Sequence, residues 1–317
     1  MRTIVTGAAG FIGFHLCRKL LDAGHVVVGV DSILTGSEAN ARDLQRHDRF
    51  TLIRHDITRP FQVDGPVARI YNLACPASPV DFRDLAVEIM AVCSAGVRNM
   101  LDMARLKSAV FLQASTSECY GDPTEHPQPE TYHGNVNPIG PRAPYDEGKR
   151  FAEALTMTYH RLHGLQTRMV RIFNTYGPRM RANDGRILPN FVNQAIDDEP
   201  LTVHGDGTQT RSFCYVDDLV DAIIRASECD FVEPINIGSE VEITINQAAR
   251  AVIELTGSKS PIEYVARPLN DPERRRPDLS RAKAILGWRP TMPWRDGFAT
   301  TIEYFRALRQ PASSEMA

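Results

Sequence analysis

Short runs of apolar residues, rich in Val and Ile, alternate along the first half of the chain with longer segments whose apolar positions recur every three or four residues. Runs that are apolar at successive positions predict strands buried on both faces, and the longer spacing predicts helices that cover them. The predicted strands span residues 3–6, 26–31, 50–55, 69–74, 110–115 and 167–173. Because strand and helix alternate, the pattern predicts an α/β fold with a doubly wound parallel sheet.

The second half of the chain has a different rhythm, because Gly and Pro interrupt it repeatedly after residue 173. We predict a large sheet domain over residues 1–178 and a smaller α/β substrate-binding lobe over residues 179–210 and 239–310. Residues 214–226 have a helical pattern and residues 234–238 a strand pattern. We therefore expect the segment 211–238 to return to the sheet domain, so that the two parts interleave.

Composition and charge exclude several classes of protein. The 317 residues carry a formal net charge of -3, so no overall positive field is available to hold a nucleic acid. The six cysteines are scattered without a CxxC pair, which predicts neither a disulfide framework nor a metal site. Apolar stretches long enough to span a membrane are absent, as is a secretory leader pattern. We expect a cytoplasmic protein that does not associate with membranes.

A glycine-rich turn follows the first predicted strand directly, and an amphipathic helix follows the turn. Glycines at this spacing allow a tight turn and a close approach of the backbone to a pyrophosphate, which the free N–H groups of the helix start can bind. Asp31 ends the second strand and is placed to accept hydrogen bonds from the adenine ribose. Its charge favours NAD over NADP, so the sheet domain is predicted to be an NAD-binding Rossmann domain. The residues of the turn and helix start are Gly7, Gly10, Phe11, Ile12 and Gly13.

Two further segments are candidates for cofactor contacts. Asp56 and Ile57 follow the third predicted strand, where they could contact the adenine, although an Asp at this place could equally cap a turn. Leu73 ends the fourth strand together with the small residue Ala74, where the cofactor would cross the sheet. Both segments stand at the carboxyl ends of strands, where ligands bind in doubly wound sheets.

Candidate catalytic residues lie on a predicted helix and after the fifth strand. Tyr145 and Lys149 are four residues apart and therefore share one helix face. Thr116, Ser117 and Glu118 lie at the carboxyl edge of the sheet. Together with the glycine turn, this order resembles the extended short-chain dehydrogenase/reductase family. The resemblance implies that Tyr145 takes a proton from a substrate hydroxyl, that Lys149 lowers its pKa and holds the nicotinamide ribose, and that Thr116 binds the reacting oxygen.

Longer stretches narrow the resemblance to the UDP-glucuronate decarboxylases, which are also called UDP-xylose synthases. This resemblance covers essentially the whole chain and implies oxidation of UDP-glucuronate at C4, loss of CO2 from the resulting β-keto acid, and re-reduction to UDP-xylose. It also implies that Glu118 and Arg275 serve the decarboxylation, with Glu118 either ionised or protonated, and that Thr116 and Ser117 lie beside the reacting sugar. The stretches are residues 73–79, 115–121, 137–142, 145–150, 171–180, 209–211 and 271–278.

The same resemblance implies a set of residues that hold the UDP-sugar, and a homodimeric assembly. Arginine suits a diphosphate because its planar fork binds oxyanions through two hydrogen bonds. The implied residues are Asn174, Arg179, Asn190, Arg211 and Arg275.

One helix departs from the family pattern. Where the family carries Lys, Thr and Asn, this chain has Ala91, Val92 and Cys93, which lack those polar contacts. Three hypotheses therefore remain: decarboxylation, a related reaction (4-epimerisation or release of a 4-keto pentose), and a weakly active paralogue that binds nucleotide and serves as a regulator or structural partner.

Overall fold

A parallel seven-stranded sheet, flanked by helices, forms the centre of the computed structural model, which describes residues 1–266 and 274–310. The strands are β1 (Arg2–Thr6), β2 (Val26–Asp31), β3 (Phe50–Arg54), β4 (Arg69–Asn72), β5 (Val110–Thr116), β6 (Thr167–Ile172), β7 (Thr175–Tyr176), β8 (Leu201–His204), β9 (Thr210–Ser212), β10 (Cys214–Tyr215), β11 (Pro234–Ile237), β12 (Glu242–Thr244), β13 (Ile262–Val265) and β14 (Arg274–Arg275). The helices are α1 (Phe11–Asp22), α2 (Glu38–Gln45), α3 (Ala86–Ala91), α4 (Val97–Lys107), α5 (Ala143–His163), α6 (Ile187–Ile196), α7 (Val216–Glu228), α8 (Ile245–Thr256), α9 (Ser280–Leu286) and α10 (Trp294–Ala307).

The strand order of the sheet is β3-β2-β1-β4-β5-β6-β11, with every neighbouring pair parallel. The chain winds outwards from β1 in one direction and from β4 in the other. The connections after these two strands therefore leave on opposite sides and open a crevice at their carboxyl ends. This arrangement confirms the predicted doubly wound α/β fold.

Three buried polar side chains join the strands at this crevice. Thr6 donates its hydroxyl to Asn72 Oδ1 at 2.7 Å, and Asn72 Nδ2 donates to Gln113 Oε1 at 2.9 Å. The amides of Leu73 and Ala74 both donate to Thr6 Oγ1 at 3.1 Å. Because those amides turn to a side chain, β4 ends at Asn72, two residues before the predicted end, and the chain swings away from the sheet at the crevice.

The smaller lobe contains two short sheets and shares a core with the large one. Strand β8 pairs with β13, and β9 pairs with β12 and β14. Apolar residues of α1, α6, α7, α8 and α10 belong to one continuous buried cluster. The two parts are therefore packed on a common core.

The expected return of the chain to the main sheet is present, since β11 pairs with β6. The predicted helix over 214–226 is wrong at its start: Cys214 and Tyr215 form a strand on Thr175 and Tyr176, and the helix runs from Val216 to Glu228. Both residues are buried, so the strand pairs their backbone groups where water does not reach. Within the described ranges, no helix has the length and apolarity to cross a membrane. The division into a sheet domain of residues 1–178 with 211–238 and a smaller lobe of residues 179–210 and 239–310 stays a prediction.

Candidate active site

A cleft of about 600 Å³ opens at the carboxyl ends of β1, β4 and β5, between the sheet and the smaller lobe. Its walls contain the glycine turn on one side and residues of the segments 172–189 and 204–213 on the other. Its size and position are those of a ligand site in a doubly wound fold.

The glycine turn leaves room that any side chain would fill. Gly7 has φ +71°, and a Cβ on it would lie 3.0 Å from the backbone of Ala74. A Cβ on Gly13 would lie 1.9 Å from the carbonyl oxygen of Gly7. Helix α1 therefore packs directly on the turn, and its first residues, Phe11, Ile12 and Gly13, line the cleft together with Gly10. Amides at a helix start have no carbonyl partner within the helix. This backbone cradle at a helix start fits the pyrophosphate of a dinucleotide.

Asp31 lines the cleft beside this turn and is buried. Its carboxylate accepts hydrogen bonds from the amide of Ala9 at 2.9 Å and from the amide of Ile33 at 2.8 Å. Burial raises the pKa of Asp31, and these two amide bonds act against that shift. The two bonds fix the carboxylate beside the glycine turn, on the wall of the cleft.

The two other predicted cofactor segments also reach the cleft. Asp56, Ile57 and Leu73 all line its wall. Asp56 Oδ1 accepts a hydrogen bond from the amide of Thr58 at 2.9 Å, so this side chain caps a turn. Turn capping does not exclude a contact to adenine, since Asp56 also faces the cleft.

The predicted Tyr and Lys meet at the inner end of the cleft. Lys149 Nζ lies 5.8 Å from the centre of the Tyr145 ring and donates to the carbonyl of Ala114 at 3.0 Å. Burial raises the pKa of the Tyr145 phenol overall, and the Lys149 ammonium and a hydrogen bond with the Thr116 side chain offset only part of that rise. Phe82 stacks on the Tyr145 ring at 4.7 Å between ring centres. The phenol is thus held rigidly beside a cation that stabilises its ionised form.

Glu118 lies on the other side of Thr116, among arginines. Its Oε2 accepts from Arg142 Nη2 at 2.6 Å, and its Oε1 accepts from Arg275 Nη1. Burial alone would raise the pKa of Glu118, but Arg275, Arg142 and Arg211 outweigh it and lower the pKa to about 2. This lowered pKa favours the ionised form of Glu118 at neutral pH, which is one of the two states that the sequence left open.

Arg275 is fixed on two sides. Besides its ion pair with Glu118, its Nη2 donates to the carbonyl of Gly121 at 2.7 Å, and its side chain is buried. Arg275 and Ser117 both line the cleft, which brings the predicted catalytic residues together. Residues 271–273 of the motif that carries Arg275 lie outside the described residues.

Two residues of this cluster had no predicted role. Arg142 lies one turn before Asp146 on the entry to α5, and its Nε is 3.9 Å from Asp146 Oδ2. Burial and the negative charge of Glu118 raise the pKa of Asp146 to about 7. Sequence reasoning missed both, although two charged residues beside the Tyr145 to Lys149 helix face were a signal for a site.

The predicted substrate residues divide into two groups. Asn174, Arg179 and Arg211 line the cleft, whereas Asn190 lies on α6 outside the set of described residues that form its wall. Arg179 Nη2 bonds Asp43 Oδ2 at 2.7 Å, and its guanidinium lies 4.4 Å from the centre of the Phe14 ring. Arg179 is therefore anchored on the cofactor side of the cleft. Sequence reasoning did not identify Arg181 and Arg186, which also line the wall.

The helix that departs from the family pattern borders the same cleft. Ala91 and Val92 line it, and Cys93 lies behind them in a π-helical turn over Val92–Gly96. Cys93 is buried, and its Sγ lies 3.7 Å from the Sγ of Cys75. Apolar surface and a thiol pair thus lie at the three positions where the family pattern has polar residues. Among the described residues, no cluster of His, Cys, Asp or Glu has the arrangement of a metal site.

Comparisons with known proteins agree with this geometry. Residues 3–238 match the NAD dependent epimerase/dehydratase family. The chain is 50% identical over 307 residues to UDP-glucuronic acid decarboxylase 3 of Arabidopsis thaliana, which covers 96% of this chain and 89% of the relative. UDP-glucose 4-epimerase of Thermotoga maritima, solved with UDP-glucose, superposes with a TM-score of 0.89 at 27% identity and covers 98% of this chain and 100% of its own.

UDP-glucuronic acid 4-epimerase of Bacillus cereus, solved with UDP-glucuronic acid and NAD, superposes with a TM-score of 0.86 at 28% identity, over 97% of this chain and 100% of its own. The cradle described above fits a dinucleotide whose adenine ribose lies at Asp31. NAD is the cofactor of the protein described here. The chain is 50% identical to a decarboxylase over nearly its full length, and it carries the NAD cradle and the pair of Tyr145 and Lys149. It therefore belongs to the UDP-glucuronic acid decarboxylase family, within the NAD dependent epimerase/dehydratases.

Proposed function

We propose that the protein converts UDP-glucuronate to UDP-xylose by oxidation at C4, decarboxylation of the β-keto acid and re-reduction. One observation carries this proposal: Glu118 and Arg275 form a buried ion pair in the cleft beside the Thr116 to Tyr145 contact, in a chain 50% identical to a decarboxylase. The glycine turn and Asp31 would hold NAD, which would supply the hydride acceptor and donor for C4 of the sugar.

The proton at the C4 hydroxyl is handled by Tyr145. Thr116 bonds the phenol and can also hold the sugar oxygen, so the hydroxyl is presented to the base. Lys149 favours the phenolate but does not outweigh burial, which raises the pKa of Tyr145 overall, so the positively charged nicotinamide of NAD would supply the remaining stabilisation of the phenolate. The same groups return that proton when the ketone is reduced.

Arg275 supplies fixed positive charge where the electrons of the breaking C–C bond collect. Its guanidinium is held by Glu118 and by the Gly121 carbonyl, so it need not reorganise when the enolate forms. Glu118, ionised between two arginines, sets this orientation and disfavours the substrate carboxylate next to it. Both effects promote the loss of CO2.

A 4-epimerase is the second candidate, because solved 4-epimerases share this fold over nearly the whole chain. An epimerase must present both faces of the keto-sugar to the cofactor and must avoid decarboxylation. The higher identity to decarboxylases favours the first proposal.

The deciding experiment incubates the purified protein with UDP-glucuronate, with and without added NAD, and identifies the sugar nucleotide by mass and proton NMR. UDP-xylose and released CO2 support decarboxylation with re-reduction. A 4-keto pentose with accumulating NADH keeps the decarboxylation but removes the final step. An isomer of unchanged mass establishes epimerisation, and an unchanged substrate with tightly bound NAD favours a weakly active paralogue.

We further propose that two copies pair through the faces of α3, α4 and α5. Large apolar side chains are exposed there, among them Val87 at 76%, Met90 at 53% and Phe151 at 51%. A shallow groove between α4 and α5 runs beside Phe151. Light scattering after size exclusion should give a dimer, and Phe151→Glu should give monomers. Val241→Glu, at an exposed position outside this face, is the matched control and should leave the dimer intact.

A cytoplasmic location is our remaining proposal. The six cysteines, all within the described ranges, are free thiols, as expected in a reducing compartment. Fractionation of cells that express the protein tests it, and recovery of the protein with secreted or membrane material would contradict it.

A further inference from the structure

Two cysteines approach each other behind the catalytic helix. Cys75 follows the fourth strand and lines the cleft, and Cys93 lies in the π-helical turn, with 3.7 Å between the sulfurs. Neither residue has a part in the chemistry described above. The pair exists because Cys93 occupies a position where the family pattern has an amide side chain.

The surroundings hold this pair against the active site. A Cβ placed on Gly148 would lie 3.2 Å from Cys93 Cβ and 3.3 Å from its Sγ, so the missing side chain of Gly148 makes room for this thiol. Cys93 and Tyr145 belong to one buried cluster, and Cys75 packs against it. The thiol pair is thus in direct contact with the segment that carries Tyr145 and Lys149.

The two thiols differ in access and in acidity. Cys93 is 2% exposed, whereas Cys75 is half-buried and faces the cleft. A hydrogen bond from Cys93 lowers the pKa of the Cys75 thiol, and the Lys149 ammonium acts in the same direction against burial. Thiolate character and access are the two properties that make a cysteine reactive.

We propose that Cys75 and Cys93 form a redox modification site, in which a peroxide that enters through the cofactor cleft converts the pair to a disulfide. The Cys75 thiolate attacks one oxygen of hydrogen peroxide, the O–O bond breaks, and the leaving hydroxide takes up a proton to become water. The sulfur of Cys93 then attacks the Cys75 sulfur, the S–O bond breaks, and a second water leaves with the remaining proton. The two thiols lose two electrons in total, and one peroxide is reduced to two waters.

The cofactor should control this reaction, because Cys75 is reached from the cleft that NAD fills. At an NAD concentration about ten times its Kd, the rate of disulfide formation should fall about tenfold. Oxidation of the pair should also displace Cys93 from Gly148 and so disturb the packing of the helix that carries Tyr145 and Lys149.

The test treats the folded protein with hydrogen peroxide, blocks remaining thiols with N-ethylmaleimide, and maps the peptides by mass spectrometry without reduction. We expect one cross-linked peptide pair that joins Cys75 to Cys93, loss of two of the six thiols, and full recovery with dithiothreitol. A cross-link between any other pair, or one that forms only in urea, would overturn the proposal.

Three variants sharpen this experiment. Cys93→Ser should abolish the cross-link and leave Cys75 to oxidise further, to a form that dithiothreitol does not reverse. Cys75→Ser should protect Cys93, which has no other route to the peroxide. Cys229→Ser, remote from the cleft, is the matched control and should cross-link at the wild-type rate. If Cys75→Ser leaves Cys93 equally reactive, or if NAD does not slow the reaction, the proposed entry through the cleft is wrong.

Discussion

At the cofactor end of the cleft the chain presents mainly backbone, whereas at the sugar end it presents charged side chains. The cofactor end consists mainly of glycines and helix amides, with the carboxylates of Asp31 and Asp56 beside them. At the sugar end, Glu118 is surrounded by Arg142, Arg211 and Arg275. A backbone cradle binds a group that is the same in every turnover, here the pyrophosphate of the dinucleotide, and it contains few buried charges that must be paired. A buried charge cluster must be fully paired to be stable, but it can act on a substrate charge.

The comparison predicts that changes at the catalytic junction between the two ends alter turnover while NAD binding survives. Tyr145→Phe removes the proton acceptor and should lower kcat about a thousandfold. Turnover on UDP-glucuronate and NAD titration measure the two effects separately. Tyr264→Phe, on an exposed strand of the smaller lobe, is the control and should retain full turnover. Substantial turnover in Tyr145→Phe would remove this residue from the proposed mechanism.

At the sugar end, Glu118→Gln removes the anion that Arg142 and Arg275 share. Loss of a buried ion-pair partner should lower the free energy of unfolding by about 3 kcal/mol at pH 7, as measured by urea denaturation. The pKa of Glu118 is lowered in the folded state from 4.5 to about 2, so its contribution is present above pH 4.5 and is lost as pH falls towards 2.

The matched control for this change is Glu38→Gln, which removes an ion pair with Arg54 on the exposed surface. The free energy of unfolding should fall much less in this variant than in Glu118→Gln, because solvent screens exposed ion pairs. Equal losses in the two variants would show that the Glu118 cluster is no more than ordinary surface charge.

At the cofactor end, Asp31→Asn keeps the size of the side chain and removes its charge. NAD affinity should fall about tenfold, since a charge-assisted hydrogen bond is weakened, and the preference over NADP should shrink. Calorimetric titration with both cofactors measures this. Asp22→Asn, at the exposed end of α1, is the control and should bind as the wild type does. An unchanged affinity in Asp31→Asn would contradict the placement of the adenine ribose.

The smallest expected effect concerns Asp146, which lies behind the charge cluster with a buried oxygen that lacks a hydrogen bond. Its pKa is raised in the folded state from 3.8 to about 7, so the folded protein binds more protons and stability falls as pH rises through this range. The free energy of unfolding of Asp146→Asn should be about 1 kcal/mol higher than that of the wild type at pH 8. The gain is no larger because the unpaired amide offsets part of the benefit. The gain should vanish below pH 4, and a gain that is independent of pH would contradict this account.

The sequence determined the sheet and the cofactor end, because both depend on patterns that are local in the chain. Val and Ile runs specify buried parallel strands, and glycines next to a helix start specify the turn, since no side chain fits there. The Tyr145 to Lys149 spacing likewise placed both residues on one helix face. The helix start at Val216 was misplaced because Cys214 and Tyr215 pair with a distant strand, which periodicity does not reveal.

Only the tertiary structure decided how the charges at the sugar end are arranged, because they come from four segments that are separated along the chain. Glu118, Arg142, Arg211 and Arg275 meet only when the smaller lobe folds onto the sheet, and their mutual distances set the ionised state of Glu118. The approach of Cys75 to Cys93, and the position of Asn190 outside the cleft wall, also follow from packing between elements. Distances across the fold, which fix electrostatics and thiol pairing, are physical quantities that a one-dimensional pattern does not contain.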